Sequence, residues 1–134
     1  HVKPGGRLII AIENKYGLKY FAGCSEDHVA RCFAGIEGYN EGDNVRTFSR
    51  KGLERLVLDA GFSRARFFYP YPDYKLPTTI YSDEWLPKAG ELKNNNLNYD
   101  NDRMKLFDED RAFEQIVEEG MFPFFSNSFL VECE

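Results

Sequence analysis

Pro4-Gly5-Gly6-Arg7-Leu8-Ile9-Ile10-Ala11-Ile12-Glu13-Asn14 is the stretch whose reading decides the fold of this chain. Proline at the second turn position presets φ, and glycine at the third supplies the positive φ of a type II turn. The run Arg7–Ile12 is apolar without alternation, which predicts a strand covered on both faces in a parallel sheet. A parallel strand takes its neighbours from elsewhere along the chain. The segment is therefore expected in the middle of a sheet, with the chain entering its domain partway through.

Working outward, residues 14–46 are punctuated by Gly17, Gly23, Gly35, Gly38 and Gly42 and anchored by Tyr16, Leu18, Tyr20, Phe21, Val29, Phe33, Ile36 and Tyr39. Loops of this length in compact domains are mostly functional. A short helical turn is expected at Glu26–Cys32. Leu53, Leu56, Val57 and Ala60 recur at helical spacing and are predicted to share one buried face. Thr47 or Ser49 caps that helix, Gly61 stops it, and Phe62 packs back on its last turn. Arg50 and Lys51 oppose the helix dipole in the first turn unless an anion lies nearby.

Ser63–Tyr69 alternates Arg64 and Arg66 against Ala65, Phe67 and Tyr69, the pattern of a second strand. Pro70, Pro72 and Pro77 make Tyr71–Leu76 extended but irregular. Thr78–Tyr81 is expected to resume pairing. From Asp83 to about Leu106 the composition turns polar around Asn94-Asn95-Asn96, which predicts a flexible excursion. Asp108–Glu119 has helical periodicity and ends at Gly120, and Ser126–Glu132 alternates as a closing strand. The chain divides into a strand-loop-helix-strand part (1–82), a polar and helical insertion (83–121) and a final strand (122–134).

With 134 residues there is material for one core and not two. The net charge of −5 is uneven: residues 1–82 carry 12 basic and 9 acidic side chains, and residues 83–134 carry 5 and 13. This balance argues against nucleic acid, whose phosphates need a clustered cationic face. No apolar run approaches the roughly 18–20 residues of a membrane span, so a cytoplasmic location is expected. Cys24, Cys32 and Cys133 show no paired spacing, which predicts reduced thiols and no metal site.

Three stretches carry a family resemblance: Val2-Lys3-Pro4-Gly5-Gly6-Arg7-Leu8, Thr47-Phe48-Ser49-Arg50-Lys51-Gly52-Leu53-Glu54-Arg55-Leu56, and Asp59-Ala60-Gly61-Phe62. Together they resemble the C-terminal half of a class I S-adenosylmethionine-dependent methyltransferase. In that family a strand follows an "L-x-P-G-G" turn, a helix ends in "AGF", and two more strands follow, the last antiparallel to the rest. Ile12–Gly23, Glu26-Asp27-His28, Gly35–Tyr39 and Tyr69–Pro77 are similar to bacterial methyltransferases of lipopolysaccharide and other surface-glycan biosynthesis.

The resemblance implies an α/β fold: the C-terminal part of a Rossmann-like methyltransferase sheet, with a helical insertion before an antiparallel last strand. It implies O-methylation of a glycan precursor or small molecule, and a glycosyltransferase domain in the same chain as a possible neighbour. The family's glycine-rich cofactor loop is absent, since Gly5-Gly6 precede a strand rather than open a helix. No cofactor-binding residue is therefore assigned, S-adenosylmethionine is expected only in a longer enzyme, and this chain alone is expected to be inactive. The rival reading is a non-catalytic docking domain of a glycan-building protein.

Ligands of open α/β sheets sit beyond the carboxyl ends of the strands, which draws attention to Glu13 as a catalytic carboxylate and Asn14 as a substrate contact. His28 can take a hydroxyl proton near neutral pH, oriented by Asp27, Glu26, Glu37 or Asp73. Tyr39, Asp73 and Lys75 complete the candidate substrate contacts, with Arg31 and Arg46 as further cations for an anionic substrate. Phe67, Phe68, Tyr69, Tyr71, Tyr74 and Tyr81 are expected to be mainly core. Asp100-Asn101-Asp102 has the form of a cation-binding D-x-D pair but no nucleotide-sugar fold around it, so no metal is assigned. An exposed strand edge predicts self-association of the chain.

Overall fold

A computed structural model describes residues 2–3, 5–26, 28–93, 95 and 103–134. The elements run β1 (Leu8–Glu13), α1 (Leu18–Phe21), α2 (Ala34–Glu37), α3 (Arg50–Asp59), β2 (Ala65–Tyr71), β3 (Thr79–Ser82), α4 (Glu109–Glu118), α5 (Phe122–Phe125) and β4 (Ser128–Cys133). The strands form one mixed-order sheet, β1-β4-β2-β3, in which every pairing is antiparallel. The fold is mixed α and β, with α1, α3, α4 and α5 contributing side chains to the core beside this sheet.

The expectation for Arg7–Ile12 is corrected here. β1 lies on the sheet's edge, its one strand neighbour is β4, and the pairing is antiparallel. It is also covered on one face only: Leu8, Ile10 and Ile12 pack against the core, while Ile9 is 57% exposed. An apolar run lacks the alternation that would mark its open face, and its partner arrives from the far end of the chain. Neither fact is local.

Register aligns the core side chains in rows. Leu8, Cys133 and Ala65 form one row across β1, β4 and β2; Ile10, Val131 and Phe67 form another; Tyr69 faces Tyr81. Aromatic rings from the helices lock onto these rows: Phe122 meets Tyr69 at 5.9 Å and Tyr81 at 5.6 Å, and Phe113 meets Tyr71 at 5.9 Å, all edge-on. Edge-to-face contact places the positive ring rim over the negative face of its neighbour. On the opposite face, Glu132 bridges Arg7 at 2.7 Å and Arg66 at 3.3 Å.

α3 forms where its local signals point. The Ser49 side chain accepts a hydrogen bond from Gly52 N–H, capping the first turn. At the other end Gly61 has φ +96°, and Phe62 N–H and Gly61 N–H donate to the carbonyls of Val57 and Leu58. That pair of bonds satisfies the last open carbonyls, and only glycine takes such a φ without strain. The predicted four-residue apolar face is corrected: Leu53 and Val57 are buried, but Leu56 and Ala60 face solvent. The helix meets the sheet along the narrow i, i+4 stripe alone.

α4 is capped by Asp108, which accepts from Arg111 N–H. The 14–46 segment is corrected as well. Its helical turns are α1 and α2, whereas residues 28–29 form a turn and Ser25 and Cys32 make an isolated antiparallel bridge. In the excursion from Asp83, Leu92 belongs to the core and Asn95 is fully buried. The Asp100-Asn101-Asp102 pair lies outside the described residues. Among the described residues, no helix is long and apolar enough to cross a membrane.

Candidate functional site

Three of the residues singled out by sequence, Glu13, Asp73 and Lys75, converge at the carboxyl end of β1. Glu13 is buried there, with Lys75 Nζ 3.4 Å from its Oε1. Lys75 reaches it from the loop after β2, whose backbone is turned by Asp73: Asp73 Oδ1 accepts from Lys75 N–H at 2.8 Å. The other Asp73 oxygen accepts from Lys19 Nζ at 3.2 Å. Lys19 comes from α1, so three chain segments meet in one charge-paired cluster.

Asn14, the next residue along, makes separate contacts. Its Nδ2 donates to the carbonyls of Phe124 at 2.7 Å and Ser126 at 2.8 Å, and its Oδ1 accepts from Tyr16 N–H at 3.0 Å. Successive strand side chains point to opposite faces, so Glu13 and Asn14 diverge from adjacent positions. Asn14 thereby ties the end of β1 to α5.

A second asparagine organises the cluster from β4's side. Asn127 Oδ1 accepts from Lys19 N–H, and its Nδ2 donates to Pro72 O and Asn95 Oδ1. α1 begins after Gly17, which has no side chain to cap it. Asn127 supplies the missing acceptor from the other end of the chain. The close fit requires that glycine, because a Cβ on Gly17 would sit 2.9 Å from Asn127 Cα. From Asn95 the network continues through Glu109 to Arg103.

Tyr39 lies elsewhere, in a loop-closing network. Its hydroxyl donates to Glu26 Oε2 and accepts from Thr47 N–H. Burial, reinforced by the Glu26 carboxylate, raises the Tyr39 phenol above its ordinary range, so it remains a donor. Glu26 Oε1 also accepts from Gly35 N–H at 2.6 Å. His28 is exposed on the turn at 28–29, and no described contact joins it to Glu13, Tyr39 or Asp73. Asp27, one carboxylate considered for orienting it, lies outside the described residues. Arg31 pairs with Asp43 at 2.6 Å, away from the cluster.

Sequence reasoning missed Lys19, Asn127 and Asn95, and it named Glu26 as a partner for His28 rather than for Tyr39. A lysine in a loop reads as surface, and asparagines beside strands read as turns. The available signal was Tyr20 and Phe21 beside Lys19: a segment that anchors two aromatics leaves little solvent for its cation.

Next to Asn14 a cavity of about 750 Å³ opens between α3's first turn and the α4–α5 turn. Chemically, the β1 end offers one carboxylate able to accept a proton (Glu13) beside one partly exposed ammonium (Lys75). Among the described residues, no group of three or more His, Cys, Asp or Glu could hold a metal ion. Compared with protein-family models, curated proteins and solved structures, the chain shows no match.

Proposed function

We propose that this chain is the acceptor-handling part of an S-adenosylmethionine-dependent methyltransferase that O-methylates a glycan precursor or related small molecule. One observation carries the reading most: β4 runs between β1 and β2, antiparallel to both. It does so in a chain whose first strand follows Pro-Gly-Gly and whose main helix stops at Ala-Gly-Phe. An antiparallel last strand is what the resemblance calls for, although the all-antiparallel pairing here is not that of a mostly parallel Rossmann-like sheet.

The described residues do not fit the methyl donor. After β1, the first helix longer than one turn is α3, which begins at Arg50 and opens on Ser49-Arg50-Lys51 rather than on a glycine turn. No step is therefore derived through the donor. On the acceptor side, methylation of a hydroxyl requires positioning and removal of its proton. Glu13 is the carboxylate for that proton, and the Lys75 ammonium stands beside it.

Transfer of a labelled methyl group from S-adenosylmethionine to nucleotide-sugar and glycan-precursor acceptors, by the protein in its full encoded length, tests this function. Transfer to an acceptor hydroxyl is expected; absence of both donor binding and transfer overturns it. The docking-domain reading draws support from the open sheet face, where Ile9 and Ile80 are exposed. A protein that binds a glycosyltransferase but no methyl donor would establish that alternative.

A further inference from the structure

The cavity beside Asn14 has the construction of a carbohydrate subsite. Its volume, about 750 Å³, lies within the range of small-ligand sites. One wall is flat and apolar: the Tyr16 and Phe124 rings stack with centroids 5.2 Å apart and planes 9° apart. Phe124 stays 45% exposed, and Met121 beside it is also open to solvent. The other wall is α3's first turn, which contributes Arg50, Lys51 and Glu54.

Charge balance narrows the ligand. Arg50 is already held by Asp83 at 2.7 Å and lies over the Phe67 ring, 5.1 Å from its centroid. Lys51 and Glu54 add one cation and one carboxylate to the recess, and the Glu54 carboxylate repels a phosphate there. A donor and an acceptor beside an aromatic platform instead match a neutral polyol ring. The C–H face of a pyranose presents weakly positive hydrogens, which suit the negative face of an aromatic ring. Its hydroxyls can donate to Glu54 and accept from Lys51, and charge-assisted bonds of this kind are the stronger ones.

We infer that the recess formed by Tyr16, Phe124, Lys51 and Glu54 binds a neutral pyranose ring of a glycan. The inference deepens the proposed function and rests on it for identifying that glycan as the methyl acceptor. The recess geometry itself is independent of the donor.

Amide chemical-shift titrations of the protein with maltose, lactose and methyl mannoside, and separately with inorganic phosphate, test it. At least one neutral sugar should shift Ser49, Gly120 and Met121. Phe124→Ala and Glu54→Gln should each weaken that binding about tenfold. Trp85→Ala, which removes a 71% exposed ring elsewhere, should leave it unchanged. No binding of any neutral sugar, indifference to both recess variants, or stronger shifts with phosphate overturns the inference. Sugar binding without methyl transfer supports the subsite and removes the transferase reading. Methyl transfer that survives both recess variants undiminished removes the subsite and leaves the transferase.

Discussion

Lys19 Nζ and Asp73 Oδ2 stand 3.2 Å apart with their side chains 1% and 0% exposed, so one buried ion pair joins α1 to the loop after β2. Removing one partner of such a pair strands a charge in low dielectric, whereas replacing both with apolar groups avoids that cost. Lys19→Met is expected to lower unfolding free energy by about 3–5 kcal/mol. Lys19→Met/Asp73→Leu should recover most of the loss, less whatever the Lys75 N–H forfeits. Denaturant titrations of these two variants and of Asp73→Leu alone measure the coupling; simple addition of the single effects would show that the pair does not act as a unit.

Asn127→Ala removes an acceptor from Lys19 N–H and a donor from Pro72 O and Asn95 Oδ1. Buried groups left without partners each cost roughly 1–3 kcal/mol, so a loss of about 3 kcal/mol is expected. The urea midpoint should fall with an unchanged slope. A loss no larger than that of an exposed substitution such as Leu76→Ser would mean that solvent replaces these bonds.

The phenols of Tyr69 and Tyr71 are both pushed above their ordinary value of 10.0, chiefly by burial. Asp83 reinforces this for Tyr69, accepting its hydroxyl proton at 2.5 Å. The folded state then binds the proton more tightly than the unfolded one. Their contribution to stability is complete below pH 10.0 and is lost as pH rises beyond it toward the raised folded values. Thermal midpoints should fall from about pH 10 upward, together with the appearance of tyrosinate absorbance. Tyrosinate forming at the ordinary value without unfolding would contradict this.

β1 presents its outer edge to no other strand among the described residues, and Ile9 lies exposed on the open face beside Arg7 and Glu132. Unpaired strand edges recruit further strands. Sedimentation of the chain should show a concentration-dependent dimer, and Ile9→Lys should shift it to monomer while changing stability by only about 0.5 kcal/mol. A wild-type monomer at every concentration would count against edge pairing.

Under the proposed function, Glu13→Gln keeps the side chain's size but removes the proton acceptor. Methyl transfer by the full-length protein should fall about 100-fold or more, with acceptor KM little changed. Equal losses in KM and kcat for Glu13→Gln would assign it to binding.

Local chemistry was enough to determine much of the chain. Ser49 and Gly61 bracket α3, Asp108 and Gly120 bracket α4, and alternation marks β2 and β4. Each signal acts within a few residues, through a cap, a positive φ or side-chain period, so no distant contact is needed to read it. Tertiary structure alone decided that β1 lies at an edge beside β4, that Leu56 faces solvent, and that Asn127 caps α1. It also gathered Glu13, Lys19, Asp73 and Lys75 into one cluster while leaving Tyr39 with Glu26. Those outcomes depend on which desolvated groups find partners once loops close, and such pairing energies belong to the assembled fold rather than to any segment of the chain.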